Sequence, residues 1–369
     1  MIRVGYRALR RVFPASTVLS VVIGCGNAGT ATPGGAPGVP TADTVSSIPA
    51  NAAPIVRPED LDGSVSGVRA PGPSWAGTVA MTSVSAASWH SCGVTTSNTL
   101  LCWGRGTTPP SDPSACQASG DCGQALAPAG AFSAVSAGSN HSCALRLDGT
   151  IACFGAGTTD QNCVNDECGQ SLPPSGNFVA VSVGGNHSCA LGSDSRVVCW
   201  GAGRRADACT IGQCGQALPP DGTFKQVTAG YQHTCGLLVD GTVQCWGDNL
   251  VNELAAPAGT FTKIESGGSL TTCGLRSDGT LECWGDQDFS PPPLPGVFSD
   301  FAVSTNFGCG IDAATGIVVC WGQQSGYATN PPLDPFREIS LGDAHGCGVR
   351  ADDGVECWGD DLGGRAEPP

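Results

Sequence analysis

A pair of cysteines at fixed spacing recurs seven times along this 369-residue chain and constrains its architecture more than any other feature. Each copy opens with one Cys, continues for nine residues (ten in one copy), and closes with Cys-Trp-Gly or, once, Cys-Phe-Gly. Successive copies start 51, 46, 46, 38, 36 and 38 residues apart. A period of this size indicates a repeat architecture in which each unit buries its apolar surface against the next. The seven pairs are Cys92 and Cys102, Cys143 and Cys153, Cys189 and Cys199, Cys235 and Cys245, Cys273 and Cys283, Cys309 and Cys320, and Cys347 and Cys357.

The composition within each repeat predicts short β-strands. Gly and Pro account for 81 residues, which is about twice their average usage, and no long helical apolar period is present. In the second repeat we expect strands over 133–138, 141–145 and 151–154, because short apolar runs there lie between Gly, Asp and Pro. Three or four strands in a repeat of about 40 residues are typical of a propeller blade. The fold class that we expect is therefore all-β, a seven-bladed β-propeller.

The two Cys of each repeat are expected to form a disulfide across a hairpin. In the second repeat the midpoint between Cys143 and Cys153 is Asp148-Gly149, and a three-residue loop with Gly in the left-handed conformation is a common hairpin connection. Opposed residues on antiparallel strands have Cα atoms about 4.5–5.5 Å apart, which a disulfide can span. Three other copies lack the Gly, which leaves their turn type open: they hold Asn98, Ser195 and Asp353.

Six further cysteines form three close pairs, one in each of the first three connections between repeats. With Cys25 set aside, 20 Cys remain, and ten bridges leave no thiol free, as expected for an exported disulfide framework. Zinc binding is the alternative, but zinc ligands would cluster around one ion, whereas these pairs recur once per repeat. We therefore expect no metal and no cofactor. The three pairs are Cys116 and Cys122, Cys163 and Cys168, and Cys209 and Cys214.

The N-terminus has the features of an export signal. Four Arg among the first 11 residues precede an apolar segment, 12–23, that is too short to span a bilayer. The sequence Val22-Ile23-Gly24-Cys25 resembles the bacterial lipobox, which implies cleavage before Cys25 and lipidation of that residue. Several acyl chains on one residue would anchor the chain stably, and Gly26 favours sorting to the outer membrane. An ordinary secretory signal with a chance Cys is the alternative.

These features predict three parts of the chain. Residues 1–24 form the signal peptide, residues 25–74 a lipidated tether rich in Gly, Ala, Thr and Pro, and residues 75–369 the propeller. The tether has no periodic apolar face to bury, so we expect it to be disordered.

The final repeat is not followed by a further inner strand. Residues 77–85 would supply it, so that the two ends of the chain pair and close the ring. The protein is expected to face the periplasm or the cell surface.

The charge of the chain bears on its partners. The net charge is −15, and removal of the four signal-peptide Arg would leave −19. Binding to nucleic acid depends on neutralising phosphates, so an acidic body of this kind argues against it. Contact with a membrane is expected through the lipid anchor only, and the acidic surface is consistent with a soluble, monomeric body.

Each repeat also shares residues beyond its cysteines. The second runs Phe132-Ser-Ala-Val-Ser-Ala-Gly-Ser-Asn-His-Ser-Cys-Ala-Leu, then Asp148-Gly-Thr and Cys153-Phe-Gly, and Gly-Gln follows in the connection. This pattern resembles the regulator of chromosome condensation repeat over about residues 79–369, and that family folds as a seven-bladed propeller. The family includes a chromatin-bound guanine nucleotide exchange factor and a secreted β-lactamase inhibitory protein. Export and acidity disfavour exchange activity on a cytosolic GTPase.

Candidate chemical sites are few. Five repeats hold a His two residues before their first Cys, but the other two hold Thr271 and Phe307 there. His residues spread around a ring rarely converge on one metal ion, so we expect them to contact backbone or a neighbouring Trp instead. No serine elbow, zinc-protease motif or phosphate loop is present, and the acid pairs 352–353 and 360–361 lie in predicted turns. We expect a protein that is not an enzyme. The five His are His90, His141, His187, His233 and His345.

Loop length is the main difference between repeats. The first three connections are longer and carry their own Cys pair, so three stapled loops are expected on one rim, where a rigid scaffold would present binding residues. We expect non-catalytic binding of a protein partner, as a scaffold or inhibitor. A carbohydrate-binding or glycan-processing propeller is the alternative; it requires aromatic platforms and paired carboxylates at the central mouth, and the sequence shows no such set outside the turns. Candidate partner-binding residues are Asp121, Asp166, Glu167, Thr210 and Gln213.

Overall fold

The computed structural model describes residues 74–108, 116, 121–164, 167–204, 215–268, 270–286, 296–322 and 330–369. The chain divides into two compact units, Met1–Ser64 and Val65–Pro369, and all of the described residues lie in the second. Cys25, the signal peptide and most of the tether therefore lie outside the described residues. Within the described part, no helix combines the length and the apolar character needed to cross a membrane.

Each repeat folds into three antiparallel strands, inner, middle and outer, which form one blade. The inner strands are β2 (Met81–Ala86), β5 (Phe132–Ala137), β10 (Phe178–Val183), β13 (Phe224–Ala229), β16 (Lys263–Ser266), β19 (Phe298–Val303) and β22 (Phe336–Leu341). The middle strands are β3 (His90–Thr95), β6 (His141–Arg146), β11 (His187–Gly192), β14 (His233–Leu238), β17 (Thr271–Leu275), β20 (Phe307–Asp312) and β23 (His345–Arg350). The outer strands are β4 (Leu100–Gly104), β7 (Ile151–Gly155), β12 (Val197–Gly201), β15 (Val243–Gly247), β18 (Leu281–Gly285), β21 (Val318–Gly322) and β24 (Val355–Gly359). The described residues thus form the seven blades that the sequence predicts.

The ends of the chain pair, as expected, and a further short strand takes part. Strand β1 (Ser74–Ala76) adds to the edge of β24 and gives blade 7 a fourth strand, with Trp75 opposite Cys357 in the backbone register. The segment expected to close the ring, 77–85, runs into β2, the inner strand of blade 1, and its Gly77 and Met81 amides donate to the carbonyls of Val355 and Asp353 in blade 7, both at 2.8 Å. The amide of Thr78 also donates to the carbonyl of Pro369 at 3.0 Å. The predicted inner strand and the predicted closure are therefore both present, and β1 adds a pairing that was not predicted.

The predicted hairpin disulfides are present in all seven blades. The Cys of each middle strand lies directly opposite the Cys of its outer strand, with Cα atoms 4.0 or 4.1 Å apart. The bridges join Cys92 to Cys102, Cys143 to Cys153, Cys189 to Cys199, Cys235 to Cys245, Cys273 to Cys283, Cys309 to Cys320, and Cys347 to Cys357.

The two ends of these bridges differ in burial. The middle-strand Cys is fully buried in every blade. The outer-strand Cys is only partly buried in blades 1–6 and fully buried in blade 7, where it is Cys357. The partly buried residues are Cys102, Cys153, Cys199, Cys245, Cys283 and Cys320. Each bridge therefore links the packed interior of a blade to its outer edge.

The turns between these cysteines keep one conformation whether or not Gly is present. The backbone angle φ is 83° at Gly149, 63° at Asn98 and 64° at both Ser195 and Asp353. Asn and Asp tolerate the left-handed region better than most residues. The turn type that the sequence left open at Asn98, Ser195 and Asp353 therefore has the same left-handed residue as the turn with Gly149.

The core lies between blades. A typical apolar cluster joins Cys92 and Leu100 of blade 1 to Phe132 and Phe154 of blade 2, and the pattern repeats around the ring. Burying a side chain such as Phe132 contributes roughly 1.5–3 kcal/mol, so the Phe that opens five of the seven inner strands is a principal contact between neighbours. The ring therefore depends on every adjacent pair of blades.

Candidate functional site

The two ends of the propeller differ. At one end, which we call the His face, each inner strand leads into its middle strand through a short turn that we call a corner. The opposite end, the hairpin face, carries the turns between the middle and outer strands. The first stapled loop lies at the His face, because the amide of Arg105 donates to the carbonyl of Trp89, in the blade 1 corner, at 3.0 Å. The Asp121 carboxylate then accepts from the amide of Gly106 at 3.2 Å.

The five His form a chain of hydrogen bonds between blades. In each case Nε2 lies 2.7–2.8 Å from a Ser or Thr hydroxyl of the following blade. In four of these pairs the hydroxyl donates to a backbone carbonyl, such as that of Gln124, so Nε2 must carry the proton and donate. The predicted structural role is correct, but the partner is a hydroxyl rather than backbone or Trp. The pairs are His90–Ser142, His141–Ser188, His187–Thr234, His233–Thr272 and His345–Ser91.

These imidazoles are buried and uncharged. Burial lowers the pKa of His90, His141, His187 and His345 to about 3, and that of His233 to about 4. Their Nδ1 atoms have no hydrogen-bond partner. Corner glycines close over several of these rings, since a Cβ built at Gly230 would lie 2.8 Å from Nδ1 of His233. No group of three or more His, Cys, Asp or Glu within the described residues could hold a metal ion.

The Gly-Gln pair ties the stapled loops to these junctions. The Gln124 side chain accepts from the amide of Cys122 at 2.7 Å, and the Gln170 side chain accepts from the amide of Cys168 at 2.9 Å. The Gln170 carbonyl also accepts from the indole of Trp200 at 2.8 Å. Trp200 therefore anchors the preceding loop as well as filling the core, a role that Phe154 lacks because it has no side-chain N–H.

The stapled loops are described in part. The Cys116–Cys122 disulfide is formed, and Cys168 is disulfide-bonded, while its expected partner Cys163 is described by backbone only, in strand β8 (Asp160–Val164). Strand β9 (Glu167–Cys168) pairs with β8, and of Glu167 only the backbone is described.

Other predicted residues of these loops lie outside the described residues. They are Asp166, Thr210, Gln213, Cys209 and Cys214. The third bridge, from Cys209 to Cys214, therefore stays a prediction, as do the binding roles of Asp166, Thr210 and Gln213.

A group of charged side chains lines the inner strands of blades 5–7, contrary to the expectation that carboxylates lie only in turns. Lys263 Nζ lies 2.5 Å from Asp300 Oδ1, 3.2 Å from Glu265 Oε2 and 2.9 Å from the Phe301 carbonyl. Glu338 accepts from the amide of Val84 in blade 1 at 3.1 Å. The sequence did hold a signal: the second residue after the opening aromatic or Met is Ser or Ala in the first three repeats and charged in the last three.

The surroundings set the charge of this group. Burial raises the pKa of Glu265 to about 6, and the charge of Asp300 adds to the effect while Lys263 opposes it. Burial also raises the pKa of Glu338. For Lys263, burial disfavours the charge, but Glu265 and Asp300 outweigh it and raise the pKa. The group is therefore a cation held between carboxylates, with Glu265 titrating close to neutral pH.

A polar funnel opens at the His face along the ring axis. Its volume is about 260 Å³, and all seven blades line it through the ends of their inner strands and the corners that follow. Glu265 and Asp343 contribute carboxylates, and Tyr231, which is 44% exposed, contributes an aromatic ring. Asp343 accepts from the Thr305 hydroxyl at 2.8 Å. The funnel, the corners and the first stapled loop thus share the His face, which makes it the candidate binding surface.

The class that these features define is a disulfide-stapled, seven-bladed β-propeller. Comparison with known families gives a match to the regulator of chromosome condensation (RCC1) repeat over residues 81–107, 132–161, 178–205 and 224–252. The chain therefore carries RCC1 repeats, as the resemblance implied. No curated protein matches the chain.

Solved structures with the same fold include two plant receptor ectodomains. The Arabidopsis thaliana receptor kinase ACR4 ectodomain is 24% identical over 79% of this chain and 99% of its own, with a TM-score of 0.59. The Physcomitrella patens receptor kinase CR4 ectodomain is 23% identical over 76% and 74%, with a TM-score of 0.58. Prp20p of Saccharomyces cerevisiae, described with its binding to Gsp1p and histones, is 17% identical over 75% and 82%, with a TM-score of 0.52. At these identities the likeness concerns the fold.

Proposed function

We propose that the propeller is a non-catalytic protein-binding module whose His face receives the partner. The observation that carries the proposal is the rigid attachment of stapled loops there: buried Gln124 and Gln170 join Cys122 and Cys168 to the His–hydroxyl junctions. Such contacts at the described end of a loop reduce the entropy that the loop loses on binding. Proteins of similar fold support this use, since two are receptor ectodomains and Prp20p binds Gsp1p and histones.

We also propose that the protein acts outside the cytoplasm, held to the outer membrane by lipid on Cys25. The arginine-rich start and the lipobox-like 22–25 support this, and the disulfides require an oxidising compartment. Metabolic labelling with a radioactive fatty acid, followed by membrane fractionation, tests it. Wild type should be labelled and recovered with outer membranes, and Cys25→Ser should be unlabelled. Equal labelling of the two would refute the lipid anchor.

Replacement of the stapled loops tests the proposed binding face. A variant whose first three connections are shortened before the Gly-Gln pair would keep the blades, because Gln124 and Gln170 stay in place at the interblade junctions. Recovery of crosslinked partners from intact cells should fall strongly for this variant. A matched control with Val179→Ser and Val239→Ser, exposed residues at the hairpin face, should behave like wild type. Unchanged recovery with the loop variant would refute the proposal.

A further inference from the structure

Tyr231 and Gly185 form a matched pair at the mouth of the funnel. The Tyr231 ring lies against the backbone of Gly185 in the neighbouring blade, since a Cβ built there would be 2.8 Å from Cδ2 and 3.0 Å from Cε2. The position equivalent to Tyr231 holds Ser88 in blade 1 and Ser139 in blade 2. A glycine thus makes room for an aromatic surface that remains 44% exposed. Among the described residues that line the funnel, Tyr231 is the one aromatic side chain.

The wall of the funnel carries a ring of hydroxyls. Each accepts an amide N–H from the next blade at 2.8–3.0 Å and has its own hydrogen to donate to another acceptor. A ligand rich in hydroxyl groups can accept from such a wall. The five side chains are Ser85, Ser136, Ser182, Thr228 and Ser340.

Two carboxylates complement these donors. Glu265 lies on the wall, and Asp343 lies at the mouth on blade 7, three blades from Tyr231 and so at the greatest separation that a ring of seven allows. Carboxylates accept hydrogen bonds from ligand hydroxyls and repel an anionic ligand. The volume of about 260 Å³ is just below the ~300–1,000 Å³ typical of sites for drug-sized ligands, which suits one sugar ring better than a longer segment.

We propose that the funnel binds the terminal sugar of an uncharged glycan. The apolar face of the pyranose ring would lie on Tyr231, and its hydroxyls would bond to Glu265, Asp343 and the hydroxyl wall, the combination of an aromatic surface with a few convergent polar groups that small-ligand sites use. This goes beyond the proposed protein binding and does not depend on it. No hydrolysis is proposed, because Lys263 already engages Glu265 and Asp300.

Titration calorimetry with the purified, disulfide-intact chain tests the site. The probes are lactose, maltotriose and chitotriose as neutral saccharides and trigalacturonate as an acidic one. We expect saturable binding of at least one neutral probe and none of trigalacturonate. Absence of binding by all three neutral probes, or equal binding of trigalacturonate, would overturn the proposal.

Three variants then locate the bound sugar. Tyr231→Ala should weaken binding about tenfold or more, equivalent to about 1.4 kcal/mol, while Tyr231→Phe should stay within about twofold because the ring is kept. Gly185→Ser should also weaken binding by displacing the ring. The control Val239→Ala, at the hairpin face, should bind as wild type. Unchanged affinity in Tyr231→Ala, with an unfolding temperature equal to that of wild type, would contradict the site. The variant with shortened stapled loops should still bind sugar, so the two proposals fail separately.

Discussion

His345 donates from Nε2 to the hydroxyl of Ser91 at 2.8 Å, and this bond joins the last blade to the first across 254 residues of sequence. Ser91 donates its own hydrogen to the Arg365 carbonyl at 3.1 Å. Both side chains are fully buried, so the same pairing that makes four other junctions also closes the ring. The His-Ser/Thr-Cys motif therefore contributes to two junctions: its His donates to the next blade, and its hydroxyl accepts from the preceding one.

Removing the Ser91 hydroxyl should destabilise the ring. In Ser91→Ala the buried Nε2–H of His345 loses its acceptor, and an unpaired buried donor costs about 1–3 kcal/mol. Urea unfolding at pH 7.5 measures the loss, with the exposed Ser175→Ala as control. The double variant His345→Phe/Ser91→Ala should recover part of the stability, because both polar partners are removed and Phe307 already occupies the equivalent position in blade 6. Equal stability of Ser91→Ala and wild type would contradict the role of this bond.

Acid should unfold the protein through the five His. Their pKa lies near 3 or 4 in the folded chain and near 6.5 when unfolded, so the unfolded chain binds more protons as pH falls below 6.5. Each His then costs about 1.4 kcal/mol per pH unit down to its folded pKa. Glu265 has the opposite effect on stability. Its folded pKa of about 6 lies above its unfolded value, so as the pH falls the folded state binds this proton first and is stabilised by it.

The measurement is the free energy of unfolding in urea between pH 7.5 and 4.5. It should be nearly flat above pH 7 and fall steeply below 6.5. His345→Phe should show a slope that is shallower by about one proton. A profile that stays flat to pH 4.5 would mean that these imidazoles protonate without cost in the fold.

Loss of the Lys263 cation should destabilise the inner strands in a pH-dependent way. In Lys263→Met the carboxylates of Glu265 and Asp300 face each other without a cation, which we expect to cost about 1–2 kcal/mol at pH 8 after discounting for partial exposure. The cost should shrink at pH 5, where Glu265 takes up a proton. Lys225→Met, at an exposed position of β13, is the control. An equal cost at both pH values would argue against this ion group.

The hairpin disulfides should differ in their access to thiols. Cys357 in blade 7 is fully buried and pairs with β1, whereas its counterparts in the other blades, such as Cys320, are partly exposed. Brief treatment with a mild reductant, alkylation and peptide mapping should therefore modify Cys357 last. Deletion of residues 1–76 should raise its rate toward that of Cys320 while leaving Cys320 unchanged. Equal rates in the intact chain would contradict the protection by β1.

Much of the architecture could be predicted from sequence because it is carried by local patterns. The spacing of Cys143 and Cys153 about Asp148-Gly149 determines a hairpin and its register together, so the seven hairpin disulfides could be predicted. The His residues could be assigned a structural role but not their correct partner, because His90 meets the Ser142 hydroxyl only when adjacent blades pack. The charges on the inner strands were missed because Lys263 and Asp300 lie in different repeats, and only an alignment of the repeats shows that they share one position.

Binding of a partner at the His face is tested most directly by site-specific photocrosslinking on intact cells. A photoreactive residue would replace Ser139 at the His face or Val239 at the hairpin face, in otherwise identical chains. We predict a discrete crosslinked protein from position 139 that disappears when the stapled loops are shortened, and none from position 239. Crosslinks from position 239 alone, or from neither position, would contradict the assignment.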